Sequence, residues 1–187
     1  RPNLQVRMPS FDMTDEEWNA IIRAFQYSDN DLLAFESDHQ VDKSTTHFKA
    51  GEKLHELGAC NNCHFYGTEF PKQGAQTWAP NMALTKERLQ PAWVIEWMRD
   101  PQNIMPGTKM PAPFLPDKEL LQLPGAASDW GKYVLEVGGD KEAMLAGLRD
   151  YVYSIKGKTD ITPEIQNYFK KNGYDFEIEE DEEDEDW

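Results

Sequence analysis

One stretch decides the fold of this chain, and it reads Lys49-Ala50-Gly51-Glu52-Lys53-Leu54-His55-Glu56-Leu57-Gly58-Ala59-Cys60-Asn61-Asn62-Cys63-His64. Its apolar residues Ala50, Leu54 and Leu57 recur at helical spacing, which predicts a helix over residues 46–58. The end of the stretch holds both cysteines of the chain, with a histidine directly after the second. The stretch therefore predicts a helix that leads at once into two thiols and an imidazole.

The two cysteines and the histidine have the C-x-x-C-H spacing that is typical of covalent haem attachment. Two residues between the thiols place both sulfurs where the two vinyl groups of one porphyrin can meet them, and His64 can then ligate the iron from the same side. No further cysteine is left for a four-ligand zinc site. A thioredoxin-like redox pair would need a βαβ setting, and a plain disulfide seldom uses so short a loop. One haem c on Cys60 and Cys63 is the prediction.

A haem iron with one histidine ligand needs a sixth ligand or an open face. Met110 is the best candidate, because it lies in the stretch Pro106-Gly107-Thr108-Lys109-Met110-Pro111, where prolines on both sides stiffen the loop. Met105 is the nearest rival. Met98 and Met144 fit apolar helix faces and are expected in the core. The three remaining histidines are expected at exposed or linker positions, and they are His39, His47 and His55.

Helical signals dominate the rest of the chain, and no convincing strand pattern occurs. A capping box, Thr14 with Glu17, starts the first predicted helix. The predicted helices cover residues 14–27, 46–58, 91–99, 128–137, 140–155 and a short segment from 163. Two long segments, 59–90 and 101–127, are rich in glycine, proline and polar residues, and wrapping a large ligand would explain loops of that length. The predicted class is all-α with long loops.

The charge of the chain limits its partners. There are 19 basic and 34 acidic residues among 187, a net charge of −15, and nine of the acids lie in the last eleven residues, 177–187. The body, at −15 + 9 = −6, lacks the basic excess that a nucleic-acid binder needs. The acidic tail is expected to be disordered, either as a solubility tail or as a docking arm for a basic partner.

No run of apolar residues is long enough for a transmembrane segment. No signal peptide opens the chain, so we expect that a leader was removed or that the chain belongs to something longer.

The stretch Lys49–His64 resembles the first helix and haem motif of a class I c-type cytochrome, a monohaem cytochrome c domain. Residues 79–84 are similar to that family's Gly-Pro-x-Leu loop, residues 106–111 to its methionine-ligand loop, and residues 148–153 to its C-terminal helix. The resemblance implies that the carbonyl of Pro80 accepts a hydrogen bond from His64 and that the last helix crosses the first. It also implies three regions: an N-terminal extension 1–46, a cytochrome c domain 47–157, and a C-terminal helix with the acidic tail, 158–187.

The resemblance implies an electron-transfer protein rather than an enzyme. With His64 and Met110 on the iron, a low-spin haem would relay single electrons to redox partner proteins, above all a membrane respiratory complex of which the chain would be a module. The expected location is periplasmic or otherwise extracytoplasmic, with membrane association through partners. Two alternatives stay open: an open iron that serves an enzyme or gas sensor, and a structural haem-bearing docking subunit. Three tryptophans either wall the haem or pack the core: Trp78, Trp93 and Trp97.

The beginning of the chain also resembles the end of a cytochrome c domain, because the methionine loop Val6–Phe11 precedes the capped helix 14–27. No C-x-x-C-H motif lies before it. Three interpretations compete. The chain is the C-terminal part of a multi-haem protein in which Met8 serves an upstream haem, or the helix is a remnant that packs on the surviving domain, or residues 8 and 9 are an extended lead-in to an amphipathic helix.

Overall fold

The computed structural model describes residues 12–28 and 39–173. These residues fall into two compact units. Residues 39–161 belong to the central unit, and residues 12–28 and 162–173 belong to the terminal unit. The predictions about Met8 and about the acidic tail, and most of the predicted linker 28–45, concern residues outside the described part of the chain.

The described residues are mostly helical, which confirms the all-α prediction. The helices are α1 Asp15–Ser28, α2 Thr46–Leu57, α3 Thr85–Arg88, α4 Pro91–Arg99, α5 Pro101–Ile104, α6 Lys118–Leu121, α7 Ala126–Trp130, α8 Lys132–Val137, α9 Lys141–Ser154 and α10 Thr162–Lys171. Within residues 12–28 and 39–173, extended pairing is limited to isolated bridges, His64 with Ala79 and Tyr66 with Glu69. All six predicted helical segments contain helix, with ends close to the expected ones except in one case.

Short side-chain caps explain where the long helices begin. At α1 the backbone N–H of Thr14 donates to Glu17 at 2.8 Å and the N–H of Glu17 donates to the Thr14 hydroxyl at 3.3 Å, which is the predicted capping box. At α9 the Asp140 carboxylate accepts from the N–H of Ala143 at 3.1 Å. Helix α4 has proline at its first position, where no N–H is needed.

The exception is the helix predicted over residues 128–137, which is two helices. Gly131 has φ 78° and ψ 163°, which ends α7 and begins α8. A side chain at this positive φ would be strained, so glycine allows the break at little cost. The apolar spacing of Trp130, Tyr133 and Val134 continues across the break, and the spacing therefore predicted one helix where there are two.

The segments predicted as loops contain three further helices of four residues each, α3, α5 and α6. Two of them are capped by aspartates: Asp100 accepts from Asn103 N–H at 3.2 Å, and Asp117 accepts from Leu120 N–H at 2.8 Å. Such single turns carry too little apolar periodicity to be recognised from sequence.

The core of the central unit forms where α2 packs against α8 and α9 and where α4 packs against α9. Its buried residues include Ala50, Leu54, Val94, Met98, Leu121, Val134, Met144, Leu145, Leu148 and Val152. Met98 and Met144 are 7% and 0% exposed, which confirms that both are core residues.

Helices α2 and α9 meet backbone on backbone. A Cβ added to Gly51 would lie 2.1 Å from the carbonyl carbon and oxygen of Gly147, and a Cβ added to Gly147 would lie 2.0 Å from the carbonyl oxygen of His47. Real Cβ atoms do not come that close. Glycine at both positions is therefore what lets the first and last helices of the central unit approach each other.

The terminal unit contains α1 and α10, and neither helix has a buried residue. The apolar face of α1 is open to solvent, with Trp18 46% and Phe25 65% exposed. Among the helices of residues 12–28 and 39–173, none combines the length and the apolar character that crossing a membrane requires.

Candidate haem site

The site begins where α2 ends. The N–H of Gly58 closes the helix on the carbonyl of Leu54 at 2.8 Å, and Ala59 then turns the chain with φ 48° and ψ 39°. Ala59 has the only positive φ at a non-glycine residue within the described ranges. Such a conformation is uncommon outside glycine and is found at functional sites more often than elsewhere. It directs the chain from the helix into a tight 3₁₀ turn.

Cys60 begins this turn, Cys60–Asn62, and Cys63 follows directly as its C-cap residue. The N–H groups of Cys63 and His64 both donate to the carbonyl of Cys60, at 3.2 and 3.0 Å. The two thiols are free and half-buried, so the disulfide alternative is not formed. Burial raises the pKa of the Cys60 thiol and keeps it protonated at neutral pH. The Cys63 thiol lies 3.8 Å from the side-chain oxygen of Gln73.

The imidazole of His64 is oriented by a backbone carbonyl. Its Nδ1 lies 2.8 Å from the carbonyl oxygen of Pro80, 16 positions further along the chain. A carbonyl can only accept, so Nδ1 carries the proton and Nε2 keeps its lone pair. Burial lowers the pKa of His64, and the bond to Pro80 opposes this. The ring is therefore neutral at neutral pH, which is the form that ligates a metal.

Backbone bonds hold the Pro80 carbonyl in place from both sides. The N–H of Ala79 donates to the carbonyl of Cys63 at 2.8 Å, and the N–H of Met82 donates to the carbonyl of Phe65 at 2.8 Å. The segment around Pro80 is thereby paired with the segment that carries the cysteines and His64. The orientation of the imidazole follows from this pairing.

Asn81 is a residue of the site that sequence analysis missed. It is buried, and its carboxamide oxygen accepts from the N–H groups of Gly67 and Ala83 at 3.0 and 3.1 Å. Its NH₂ donates to the carbonyls of Gly67 and Lys158 at 3.3 and 3.0 Å. Asn81 thus fastens the Pro80 segment to two other parts of the backbone. An asparagine directly after a loop proline, at the start of a 3₁₀ turn, is the signal that could have identified it.

Met110 is half-buried, and its sulfur accepts a hydrogen bond from the indole Nε1 of Trp97 at 2.9 Å. The neighbouring Lys109 donates from Nζ to the carbonyl of Gln76 at 3.3 Å, which ties this loop to the segment that leads to Pro80. Its rival Met105 is 58% exposed. Of the two thioethers in this loop, Met110 is thus the one whose sulfur is held in place.

Aromatic rings pack beside the segment that carries His64 and beside Met110. Trp78 and the buried Phe65, which follows His64, meet edge to face with ring centroids 5.0 Å apart. Trp93 and Trp97 are stacked, with centroids 5.2 Å apart and planes inclined by 12°. Trp97 contacts the candidate ligand Met110 itself.

The prediction that the remaining histidines are exposed or linker residues is wrong for His55. It is 7% exposed, because the α2 face that bears it packs against Tyr151 of α9, with ring centroids 4.7 Å apart. The hydroxyl oxygen of Tyr66 lies 2.5 Å from its Nε2. Burial, together with the nearby His64, lowers the pKa of His55 to about 4.

His39 lies in the predicted linker and His47 is exposed, as expected. The Nε2 of His39 lies 2.7 Å from a carboxylate oxygen of the buried Asp150, and Arg149 contacts the same oxygen at 2.8 Å. His39 is therefore held against α9 from its position in the linker.

The donor set fits haem c. Two free thiols on one turn, a neutral imidazole with Nε2 available and a thioether in a neighbouring loop are the groups that such a cofactor uses. Clusters of three or more His, Cys, Asp or Glu side chains suited to a bare metal ion are absent from the described residues. No model of a known protein family matches this chain, and no curated protein sequence matches it.

Proposed function

We propose that this chain is a one-electron carrier with a single haem c bound covalently through Cys60 and Cys63, and with His64 and Met110 as the two iron ligands. The observation that carries the proposal is the 2.8 Å contact between His64 Nδ1 and the Pro80 carbonyl, directly beside two free thiols. Metal-ligating histidines almost always donate their second ring N–H to such an acceptor, because this fixes the tautomer and the ring orientation.

The bound haem would supply an iron that changes its charge by one electron. The residues of the chain determine what that iron can do. The bond to Pro80 makes Nε2 of His64 a more basic ligand. The soft thioether of Met110 favours the reduced iron and so raises the potential. With His64 and Met110 as its two ligands, the iron would have no open position for oxygen or peroxide, so electron transfer rather than an enzyme reaction is the proposed activity.

The helices around the site support a class I cytochrome c fold for residues 47–157. Helix α2 leads directly into the cysteine turn, and α9 crosses α2 at the Gly51–Gly147 contact, as the family resemblance implies for its first and last helices. We extend the proposal to the setting of the chain: a periplasmic or other extracytoplasmic module of a respiratory complex, because bacteria attach haem c outside the cytoplasm.

The experiment is expression of the whole chain in a host that exports and matures c-type cytochromes. Intact mass after denaturation should exceed the polypeptide mass by one haem. The oxidised protein should show the weak band at the red end of the visible spectrum that reports a sulfur–iron bond. The matched control is the double variant Cys60→Ser/Cys63→Ser, which keeps His64 and should carry no covalent haem.

Three results would count against the proposal in different ways. A colourless wild-type protein from such a host would refute haem attachment. Rapid binding of carbon monoxide to the reduced wild-type protein would show an open iron, and would favour the alternative of an enzyme or gas sensor. Slow or absent electron exchange with every carrier tried would favour a structural haem-bearing subunit.

A further inference from the structure

A cleft of about 430 Å³ lies between α2, α8 and α9, and none of the residues assigned to haem lines it. Helix α2 supplies much of its lining, and the half-buried rings of Tyr133 on α8 and Tyr151 on α9 contribute to the rest. Small-molecule sites measure about 300–1,000 Å³, so the cleft has room for an organic ligand rather than for water alone.

The residues that line the cleft carry one net positive charge. Three lysines and two glutamates give 3 − 2 = +1, and they are Lys49, Lys53, Lys132, Glu52 and Glu56. His55 adds no charge at neutral pH, because burial lowers its pKa to about 4. A ligand with a single negative charge therefore balances the cleft, whereas a dianion would leave one negative charge in excess.

One of the three lysines has no counterion. The other two pair with carboxylates at 3.0 and 3.5 Å, Lys53 with Glu56 and Lys132 with Glu136. Lys49 is half-buried and forms no ion pair within the described part of the chain, and its Nζ lies 4.9 Å from the centroid of the Tyr133 ring. Removing an ammonium group from water is costly unless an opposite charge accompanies it, and a carboxylate ligand would supply that charge.

The cleft also holds a polar atom that lacks a protein partner. His55 lines the cleft and is only 7% exposed. Its Nε2 lies 2.5 Å from the hydroxyl oxygen of Tyr66, whereas its Nδ1 has no hydrogen-bond partner among residues 12–28 and 39–173. Polar atoms of buried side chains are nearly always paired. The unpaired Nδ1 is therefore a second place at which a ligand can be held.

We infer that this cleft binds a small organic carboxylate. The carboxylate group pairs with the ammonium group of Lys49, the body of the ligand packs against Tyr133 and Tyr151, and Nδ1 of His55 donates a hydrogen bond to the ligand. Since a carboxylate can only accept, Nδ1 then carries the proton and Nε2 accepts from the hydroxyl of Tyr66. Binding requires none of the proposed haem ligands.

The test is a calorimetric titration of the whole chain, as isolated from the maturation host, with benzoate at neutral pH and constant ionic strength. Lys49→Gln should weaken benzoate binding by about tenfold, the lower end of what a hydrogen bond to a charged group supplies. Lys43→Gln is the matched control, because Lys43 also lies over a ring, that of Phe48, but does not line the cleft. Equal affinities of the two variants, or a wild type without saturable benzoate binding, would overturn the inference.

Two further probes separate the charge of the ligand from its shape. Benzyl alcohol keeps the ring but has no charge, and inorganic phosphate has charge but no ring. Both should bind more weakly than benzoate. If phosphate bound as tightly as benzoate, the lysines would be attracting any anion, and if benzyl alcohol did, the charge would not matter. Either result would overturn the carboxylate site.

A second measurement needs no variant, so a folding defect cannot obscure the result. Nuclear magnetic resonance of the wild-type chain can follow the side-chain nitrogens of its histidines during the benzoate titration. The His55 signals should shift to saturation, and those of His47, which is exposed and outside the cleft, should stay in place. Unmoved His55 signals would overturn the inference. Absence of covalent haem, measured by mass, would count against the proposed function alone.

Discussion

Replacing Gly51 by alanine tests the helix contact on which the central unit depends. The new Cβ would lie 2.1 Å from the carbonyl carbon and oxygen of Gly147, whereas ordinary contacts of a Cβ begin at 3.4 Å. The two helices must therefore move apart by about 1.3 Å, the difference between these distances. The obstacle is backbone, so no side chain can rotate out of the way.

The energy follows from two opposing terms. Overpacking a core costs about 1–3 kcal/mol, and a backbone clash belongs at the upper end of that range. Alanine returns about 1 kcal/mol, because it is a better helix former than glycine. Gly51→Ala should therefore lower the free energy of unfolding by about 2 kcal/mol. Gly147→Ala should do the same, since its Cβ would lie 2.0 Å from the carbonyl oxygen of His47.

The assay is urea unfolding of the mature protein followed by circular dichroism. Glu52→Ala is the control, because Glu52 is the exposed neighbour of Gly51 on the same helix and its loss should change stability by no more than about 0.5 kcal/mol. The double glycine variant should lose less than the sum of the single losses, since one separation of the helices relieves both clashes. If Gly51→Ala had the same free energy of unfolding as Glu52→Ala, the reasoning would be refuted. If the double glycine variant lost the full sum of the two single losses, the idea of one shared clash would be refuted.

Three further predictions concern the site and its support. Asn81→Ala leaves the N–H and carbonyl of Gly67 without their partner and should cost about 3 kcal/mol in urea unfolding, and a loss no larger than that of Glu52→Ala would contradict this. Met110→Ala should keep covalent haem, lower the midpoint potential and let carbon monoxide bind the reduced protein; a carbon monoxide titration no different from wild type would contradict its role as ligand. Because burial lowers the pKa of His55 to about 4 from its ordinary value of 6.5, the unfolded chain binds a proton at this imidazole at higher pH than the folded chain does. Stability should then fall by roughly 3 kcal/mol between pH 6.5 and 4 and level off below. If the free energy of unfolding of His55→Gln fell with pH as steeply as that of wild type, the prediction would be wrong.

The helices could be predicted because their signals are local. The capping box of Thr14 and Glu17, the aspartate before α9 and the proline that opens α4 each act within one turn, and each is found in the structure. The burial of Met98 and Met144 followed from spacing alone. Gly131 was missed because a glycine inside an apolar helical pattern is compatible with either a helix or a break.

The contacts that form the site join residues far apart in the sequence, and local helix signals do not predict such contacts. His64 and Pro80 are 16 positions apart, and their pairing was expected only through the family resemblance. The bond from Trp97 to Met110 depends on where a loop lies against α4, which no periodicity encodes. His55 looked exposed because charged residues surround it on α2, yet Tyr66 and Tyr151 cover it from elements further along the chain.

The crossing of α2 and α9 also sets an order of events during folding. Gly51 and Gly147 are 96 positions apart (147 − 51), so closing this contact costs the entropy of a long loop and is slow compared with forming either helix. The cysteine turn directly follows α2 and is held by local backbone bonds, so it can form before α9 docks. With haem attached after export, as proposed, a maturation enzyme would reach the thiols during that interval, and the docking of α9 would come last.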